Sequence, residues 1–206
     1  MGLAPLGNEN RLNGIRRFPA KKAFGLVLFF ALLFCSRDAG NAAGRNRKWA
    51  EPIEMAGVPN FYRVDRKLYR SAQPTAEGMK NLEKMGVRTI VNLRSYNSDR
   101  EEIAGTDLRT VRVKMHAWDP EQDEIVTALR ILADKSGAPY LVHCQHGADR
   151  TGMTIAMYRM VVQGWPREEA IREMLDGGYG FHSVWTGIVK FLENVDIEAV
   201  KRAVTD

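Results

Sequence analysis

One short run of this chain, His143-Cys144-Gln145-His146-Gly147-Ala148-Asp149-Arg150-Thr151-Gly152, sets a thiol, a guanidinium and a glycine at a spacing that can hold an anion and attack it. It follows Tyr140-Leu141-Val142, which reads as a short buried strand, and leads into an apolar helical stretch from Thr151 to Val162. A tight passage from strand end to helix start turns successive backbone N–H groups toward one point and makes an anion-binding nest. The helix N-terminus adds about half a positive charge. Gly147 admits backbone conformations that a side chain would forbid. Arg150 presents a planar fork of donors matching two phosphate oxygens. Cys144 sits at the rim of this positive field, which favours thiolate over thiol. A thiolate facing a bound phosphate is a nucleophile set for in-line attack.

Strands and helices must place this loop. Phe61 to Val64 and Leu68 to Arg70 read as two short strands around an Asp65-Arg66-Lys67 turn. Thr75 caps a helix running to about Met85, ended by Gly86. Val87 to Leu93 is a strand with a buried centre, and Val111, Val113 and Met115 alternate with Arg112 and Lys114 in another. Ile125, Ala128, Leu129 and Leu132 share one face of a helix over Glu121 to Lys135. Pro166 opens a helix from Arg167 to Leu175, stopped at Gly177-Gly178, and a last helix runs from about Trp185 to Val200. Strands alternating with helices imply an α/β domain with a central, largely parallel sheet flanked by helices. Ligands in such sheets bind beyond the carboxyl ends of the strands, where the Cys144 loop lies.

A Cys and an Arg six residues apart are a weak signal alone. His143, Gly147, Thr151 and Gly152, between a buried strand and a helix, make it specific. His143-Cys144-x5-Arg150-Thr151-Gly152 resembles the phosphate loop of the protein tyrosine phosphatase superfamily, and the short domain is similar to its dual-specificity branch. The resemblance covers roughly Phe61 to Phe191. Leu68-Tyr69-Arg70-Ser71-Ala72-Gln73-Pro74 and Val91-Asn92-Leu93-Arg94 also resemble bacterial members. It implies a cysteine-phosphatase fold and a two-step phosphomonoester hydrolysis. Cys144 forms a phosphocysteine, Arg150 and the amides of Gln145, His146, Gly147, Ala148 and Asp149 hold the phosphate, Thr151 hydrogen-bonds the cysteine sulfur, and His143 orients the loop. No metal or other cofactor is required.

The leaving oxygen needs a proton, so a carboxylic acid must approach it. Asp119, in His116-Ala117-Trp118-Asp119-Pro120, precedes Cys144 by 25 residues and resembles the acid of the family's mobile loop. Its competing role is to cap the helix beginning near Glu121. Asp149 is the other candidate, because Asp149-Arg150-Thr151 resembles myotubularin and Sac-type phosphoinositide phosphatases. Its competing role is an internal hydrogen bond that fixes the loop. Position favours Asp119. The carboxylate of Asp149 disfavours highly anionic substrates, and the loop lacks the lysines of many lipid-directed members. The Asp149-Arg150-Thr151 likeness points the other way, toward phosphoinositides, so the residues leave phosphotyrosine-type aryl phosphates, phosphoinositides and inositol phosphates all open. The resemblance to the dual-specificity branch implies a phosphoprotein substrate, with a phosphoinositide or inositol phosphate as the alternative. Arg94 ends a strand on the same sheet edge, where it reaches substrate or makes a structural pair.

His143, Cys144 and His146 fit no usual zinc spacing, so no metal is assigned. A catalytically silent phosphate-binding module usually lacks the Cys or the Arg, and both are here. A rhodanese-like sulfurtransferase or an arsenate reductase also cradles an anion around a cysteine, but arsenate reductases generally use further cysteines.

The formal net charge of +5 over 206 residues comes from the N-terminal part: residues 1–48 hold nine Lys/Arg against two Asp/Glu, and the remainder 21 against 23. A slightly acidic domain gives no warrant for nucleic-acid binding. Ala23 to Phe34 is an uncharged apolar run preceded by Lys21 and Lys22 and followed by Ala39-Gly40-Asn41-Ala42-Ala43. It reads as a signal peptide, too short for an ordinary spanning helix. Residues 1–44 are thus expected to export the chain to the periplasm or exterior or to tether it to a membrane, and residues 45–206 to form the catalytic domain. Alternatives are lipidation at Cys35, opposed by the bulky Phe34, or a buried helix of a cytoplasmic protein.

Overall fold

The computed structural model describes residues 49–206. The export or tethering segment and Cys35 lie outside the described residues. The chain opens with strands β1 (Glu51–Pro52), β2 (Tyr62–Arg63) and β3 (Leu68–Ser71), paired antiparallel in succession. Asp65 tightens the turn before β3 by accepting from the Lys67 N–H at 2.8 Å. β4 (Thr89–Arg94), β5 (Arg109–Met115) and β6 (Tyr140–His143) complete a six-stranded sheet of order β1-β2-β3-β6-β4-β5. The pairs β3–β6, β6–β4 and β4–β5 are parallel, so the expected largely parallel sheet is observed. β6 is central, and the loop after it leaves the middle of the carboxyl edge.

Alternation along the central strands feeds two cores. Ile90 and Leu141 face α1 (Ala76–Lys84), through Met79 and Leu82. Val91, Leu93 and Val142 face the opposite layer. That layer holds α2 (Gln122–Ala133), α3 (Asp149–Val161), α4 (Arg167–Asp176), α5 (Thr186–Asn194) and α6 (Ile197–Thr205). Thr75 caps α1 as expected, its hydroxyl accepting from the Gly78 N–H at 3.2 Å. α3 begins two residues earlier than the sequence suggested and is buried along nearly its whole length, Arg150 and Val161 excepted. At the sheet edge, Val113 and Met115 are buried, but Val111 is not.

The expected last helix is two helices. Val195 is extended, with ψ 136°, and the Asp196 carboxylate accepts from the Ala199 N–H at 3.0 Å, starting α6 afresh. An Asp at this position satisfies a helix-end donor better than helix continuation does. Among the described residues, no helix is long and apolar enough to cross a membrane.

The helical layer is tied together by a buried ion pair. Arg159 of α3 donates to both oxygens of Glu173 in α4, at 2.8 and 2.9 Å. Glu173 also accepts from the Ala50 N–H at 2.7 Å and from the Tyr179 hydroxyl at 3.2 Å. Removing the carboxylate strands a buried guanidinium, so Glu173→Ala is expected to lower unfolding free energy by about 3–5 kcal/mol. Urea unfolding followed by circular dichroism measures this.

Candidate active site

The loop between β6 and α3 is shaped by its own glycine and by contacts from three sides. Gly147 has φ +70°, and a Cβ there would come within 2.5 Å of the Ser71 and Ala72 backbone. From below, the buried Arg70 donates to the Gly147 carbonyl at 2.6 Å, with its guanidinium 3.7 Å from the centre of the Tyr179 ring. Burial lowers the pKa of Arg70 from its ordinary value, opposed by Tyr179 and Glu173. From the segment after β3, the Gln73 N–H donates to the Gln145 carbonyl at 3.2 Å. From the β1–β2 connection, Asn60 Nδ2 donates to the His146 carbonyl at 2.8 Å and to the Tyr179 carbonyl at 2.9 Å.

His143 orients the loop from inside the sheet. Its Nε2 lies 3.0 Å from Asp99 Oδ2 and its Nδ1 3.2 Å from the Cys144 carbonyl, so both ring nitrogens face oxygen acceptors and the ring cannot rotate freely. Asp99 also accepts from Gln73 Nε2 at 2.9 Å. Burial pushes the Asp99 carboxyl up, but the bonds from His143, Gln73 and Asn92 outweigh it and leave it below its ordinary range. Gln73 in turn accepts from Arg94 Nη1 at 2.8 Å, so Arg94, which lines the cleft, is both structurally paired and at the substrate edge.

These contacts leave the inner side of the loop unclaimed. Cys144 is a free thiol, 1 % exposed. Among the described residues, nothing accepts a hydrogen bond from the N–H groups of Gln145, His146, Gly147 and Ala148. Ala148, the residue before α3, has no side chain to cap the helix. Arg150 Nη1 reaches the Leu93 and Met115 carbonyls, at the ends of β4 and β5, only at 3.4 Å, and its Nε is buried without a partner. Thr151 is fully buried, and its hydroxyl likewise has no partner among the described residues. Unclaimed donors converging on a cysteine at a helix N-terminus make an anion cradle.

The cradle opens into a cleft of about 440 Å³ whose walls include Arg94, Tyr96, Trp118, Gln145, His146, Asp149, Arg150, His182 and Trp185. Tyr96, Trp118 and Val184 stand out from its edge, 82 %, 63 % and 71 % exposed. Asp119 follows Trp118 in the loop after β5 and is exposed, outside the lining. That loop approaches Gly187 of α5 through the Trp118 carbonyl and Pro120. Nearby Glu124 is pushed up to about 7 by burial, with the charges of Glu121 and Asp119 adding to the effect. Asp149 is buried and engaged: its Oδ1 accepts from the His182 N–H at 2.9 Å, and its Oδ2 lies 2.9 Å from His182 Nδ1. Asp149 therefore makes the internal hydrogen bonds named as its competing role.

The structure places Cys144, the loop residues 145–149, Arg150 and Thr151 between the end of β6 and the first turn of α3, with Gln145, His146, Asp149 and Arg150 on the cleft wall and Asp119 one residue beyond it. Arg70, Asp99 and His182 were not singled out from sequence. Arg70 carried one signal, a cation in an otherwise uncharged strand. Asp99 and His182 sit in connections whose partners only the fold reveals.

The family described as tyrosine phosphatases matches residues 57–204. The dual specificity protein phosphatase TpbA of Pseudomonas aeruginosa is 34% identical over 170 residues, which span 82% of this chain and 76% of TpbA. Its crystal structure superposes with a TM-score of 0.71 at 32% identity, covering 79% of this chain and 99% of that one. A cysteine-to-serine form of TpbA has been solved in complex with pTyr, with the same coverage and TM-score. The Arabidopsis thaliana inositol diphosphatase DSP5 is 30% identical over 123 residues, 56% of this chain and 60% of that protein.

Gly147 is the most sensitive backbone position in the cradle, because a methyl group there meets backbone and not a movable side chain. Gly147→Ala is expected to reduce kcat/KM for an aryl phosphate by about 100-fold or more, as the loop amides lose their convergence. Steady-state kinetics beside a thermal melt measure both the loss and the retained fold.

Proposed function

Since the chain belongs to the tyrosine phosphatase family, we propose that this protein-tyrosine/dual-specificity-type phosphatase hydrolyses phosphomonoesters of proteins through a phosphocysteine. The observation that carries the mechanism is the buried Cys144 followed in its loop by N–H groups without acceptors among the described residues and by the weakly bonded Arg150. The phosphate takes the place those donors converge on. The Cys144 thiolate attacks phosphorus, the ester oxygen departs with a proton, and Arg150 with the amides holds the equatorial oxygens as charge spreads over them. Water then attacks the phosphocysteine. The unpartnered Thr151 hydroxyl sits in the first turn of α3, available to donate to the departing sulfur.

Asp119 is the proton donor in this reading. Asp149 is held by two bonds from His182, whereas Asp119 is exposed in a loop beside the cleft wall. A bound phosphate and its leaving group extend from the cradle toward that loop, and a small loop movement completes the site. The protruding Tyr96, Trp118 and Val184 offer flat apolar surface to an aryl ester, which supports phosphotyrosine as the preferred substrate. The likeness to an inositol diphosphatase supports inositol phosphates as a second reading. The Asp149 carboxylate at the cradle mouth weighs against so anionic a ligand. We read residues 1–44 as a segment that exports the domain or tethers it to a membrane.

Cys144→Ser is expected to reduce aryl phosphate turnover to background, with wild-type turnover unaffected by a chelator. Asp119→Asn is expected to slow an alkyl phosphate, whose leaving group needs the proton, by about 10²–10⁴-fold and an activated aryl phosphate much less. Glu124→Gln serves as the control for the neighbouring carboxyl and leaves both rates near wild type. A larger loss in Asp149→Asn than in Asp119→Asn on the alkyl ester would transfer the acid role to Asp149.

A further inference from the structure

At the mouth of the cleft, three potential metal ligands from two parts of the chain converge. His146 and Asp149 belong to the cradle loop, and His182 to the connection between α4 and α5. One ligand atom from each lies within 4.8 Å of the other two. We propose that these residues bind a zinc-type divalent cation and that the bound metal inhibits the enzyme.

The donor set selects the metal. Two imidazoles and a single carboxylate suit Zn²⁺ and its neighbours, whereas Mg²⁺ and Ca²⁺ prefer sets of oxygens. Tetrahedral coordination with bonds near 2.0–2.1 Å needs ligand atoms about 3.3 Å apart. The Asp149 and His182 atoms are already 2.9 Å apart. The remaining adjustment falls on His146, an exposed side chain whose ring centre is 5.3 Å from that of His182.

The backbone around the three ligands is braced as a metal site requires. Asn60 Nδ2 donates to the His146 carbonyl and to the Tyr179 carbonyl, at 2.8 and 2.9 Å. One side chain thereby pins the loop that carries His146 and Asp149 to the segment that carries His182. The His182 N–H adds its own bond to Asp149. Such outer bonds fix ligand positions before the metal arrives. The Asp149–His182 contact also gains a second explanation: it stabilises the loop when no metal is bound and is replaced by two metal bonds when one is.

Three protein ligands leave a fourth position open, and all three residues line the cleft. That position takes water or a phosphate oxygen. A cation there draws Asp149 and His146 toward itself at the entrance that substrate must pass and captures phosphate away from Cys144. The site is therefore inhibitory and separate from the metal-free reaction. Its binding is measured without turnover, so its failure and that of the phosphatase reading are distinguishable.

The test is a Zn²⁺ titration of the full chain against a competing chromophoric chelator. The expected result is one Zn²⁺ per wild-type chain, retained in Cys144→Ser and weakened by about tenfold or more in His182→Ala and in His146→Ala. In parallel, Zn²⁺ suppresses wild-type aryl phosphate turnover, and chelator restores it. Co²⁺ bound to the wild-type chain gives a visible spectrum without a thiolate charge-transfer band, a readout that needs no variant to fold. Absence of stoichiometric binding, unchanged affinity in His182→Ala, loss of binding in Cys144→Ser, a thiolate band with Co²⁺, or stoichiometric Zn²⁺ that leaves turnover untouched would each overturn the proposal.

Discussion

The guanidinium of Arg70 bonded to the carbonyl of Gly147 holds the cradle in shape. An anion nest needs its N–H groups turned inward, so its carbonyls must turn outward and find donors elsewhere. Gly147 supplies the backbone conformation, and Arg70 supplies the donor for the carbonyl that this conformation directs into the protein. Burying a guanidinium is costly, and here the cost is offset only in part, by the Tyr179 face and by a charge-assisted bond worth about 1.5–3 kcal/mol, because Nε and Nη1 of Arg70 are buried without a hydrogen-bond partner among the described residues. Glu173 completes the arrangement by holding the Tyr179 hydroxyl and, through Arg159, the helix that follows the cradle. The path from α4 to the Cys144 loop is thus a series of direct contacts: Glu173, Tyr179, Arg70, Gly147.

A second support acts through the sheet. His143 is the last residue of β6, and its ring spans from the Cys144 carbonyl to Asp99. Asp99 collects Gln73, and Gln73 collects Arg94, so the carboxyl ends of β6 and β4 are joined by polar side chains. Every group in that chain has a bonded neighbour. Among the described residues, buried side-chain donors without a partner lie on Trp49, on Arg70 (Nε and Nη1), on Arg150 and on Thr151. The last two belong to the first turn of α3, beside loop amides that likewise lack acceptors. Polar groups buried without partners are destabilising, and those that follow Cys144 in the loop and in the first turn of α3 suit an anion.

Local chemistry made the centre of this site legible in the sequence. Cys144, Gly147 and Arg150 act through backbone geometry and spacing that a ten-residue window contains, and the flanking strand and helix follow from apolar pattern alone. The parallel sheet follows from the alternation of strands and helices. The supports were less legible, because their meaning depends on distant partners. Asp99 contacts His143 across 44 residues and His182 contacts Asp149 across 33, and neither pairing leaves a periodic trace. The division of the last helix at Val195 was missed for a different reason: apolar spacing continues through it, and the break lies in the extended backbone of Val195 and the bond that the Ala199 N–H donates to the Asp196 carboxylate. Asp149 stood between two roles in the sequence, and the His182 bonds give it a structural one.

The central claim is that phosphorus passes through Cys144, and a phosphoenzyme trap tests it most directly. The wild-type chain is mixed with a fast aryl phosphate, quenched within one turnover, digested and examined by mass spectrometry. The account predicts a phosphate adduct on the peptide containing Cys144, on sulfur, disappearing as product forms. A phosphate adduct on another residue, or full turnover with the Cys144 peptide unmodified at every quench time, would contradict it.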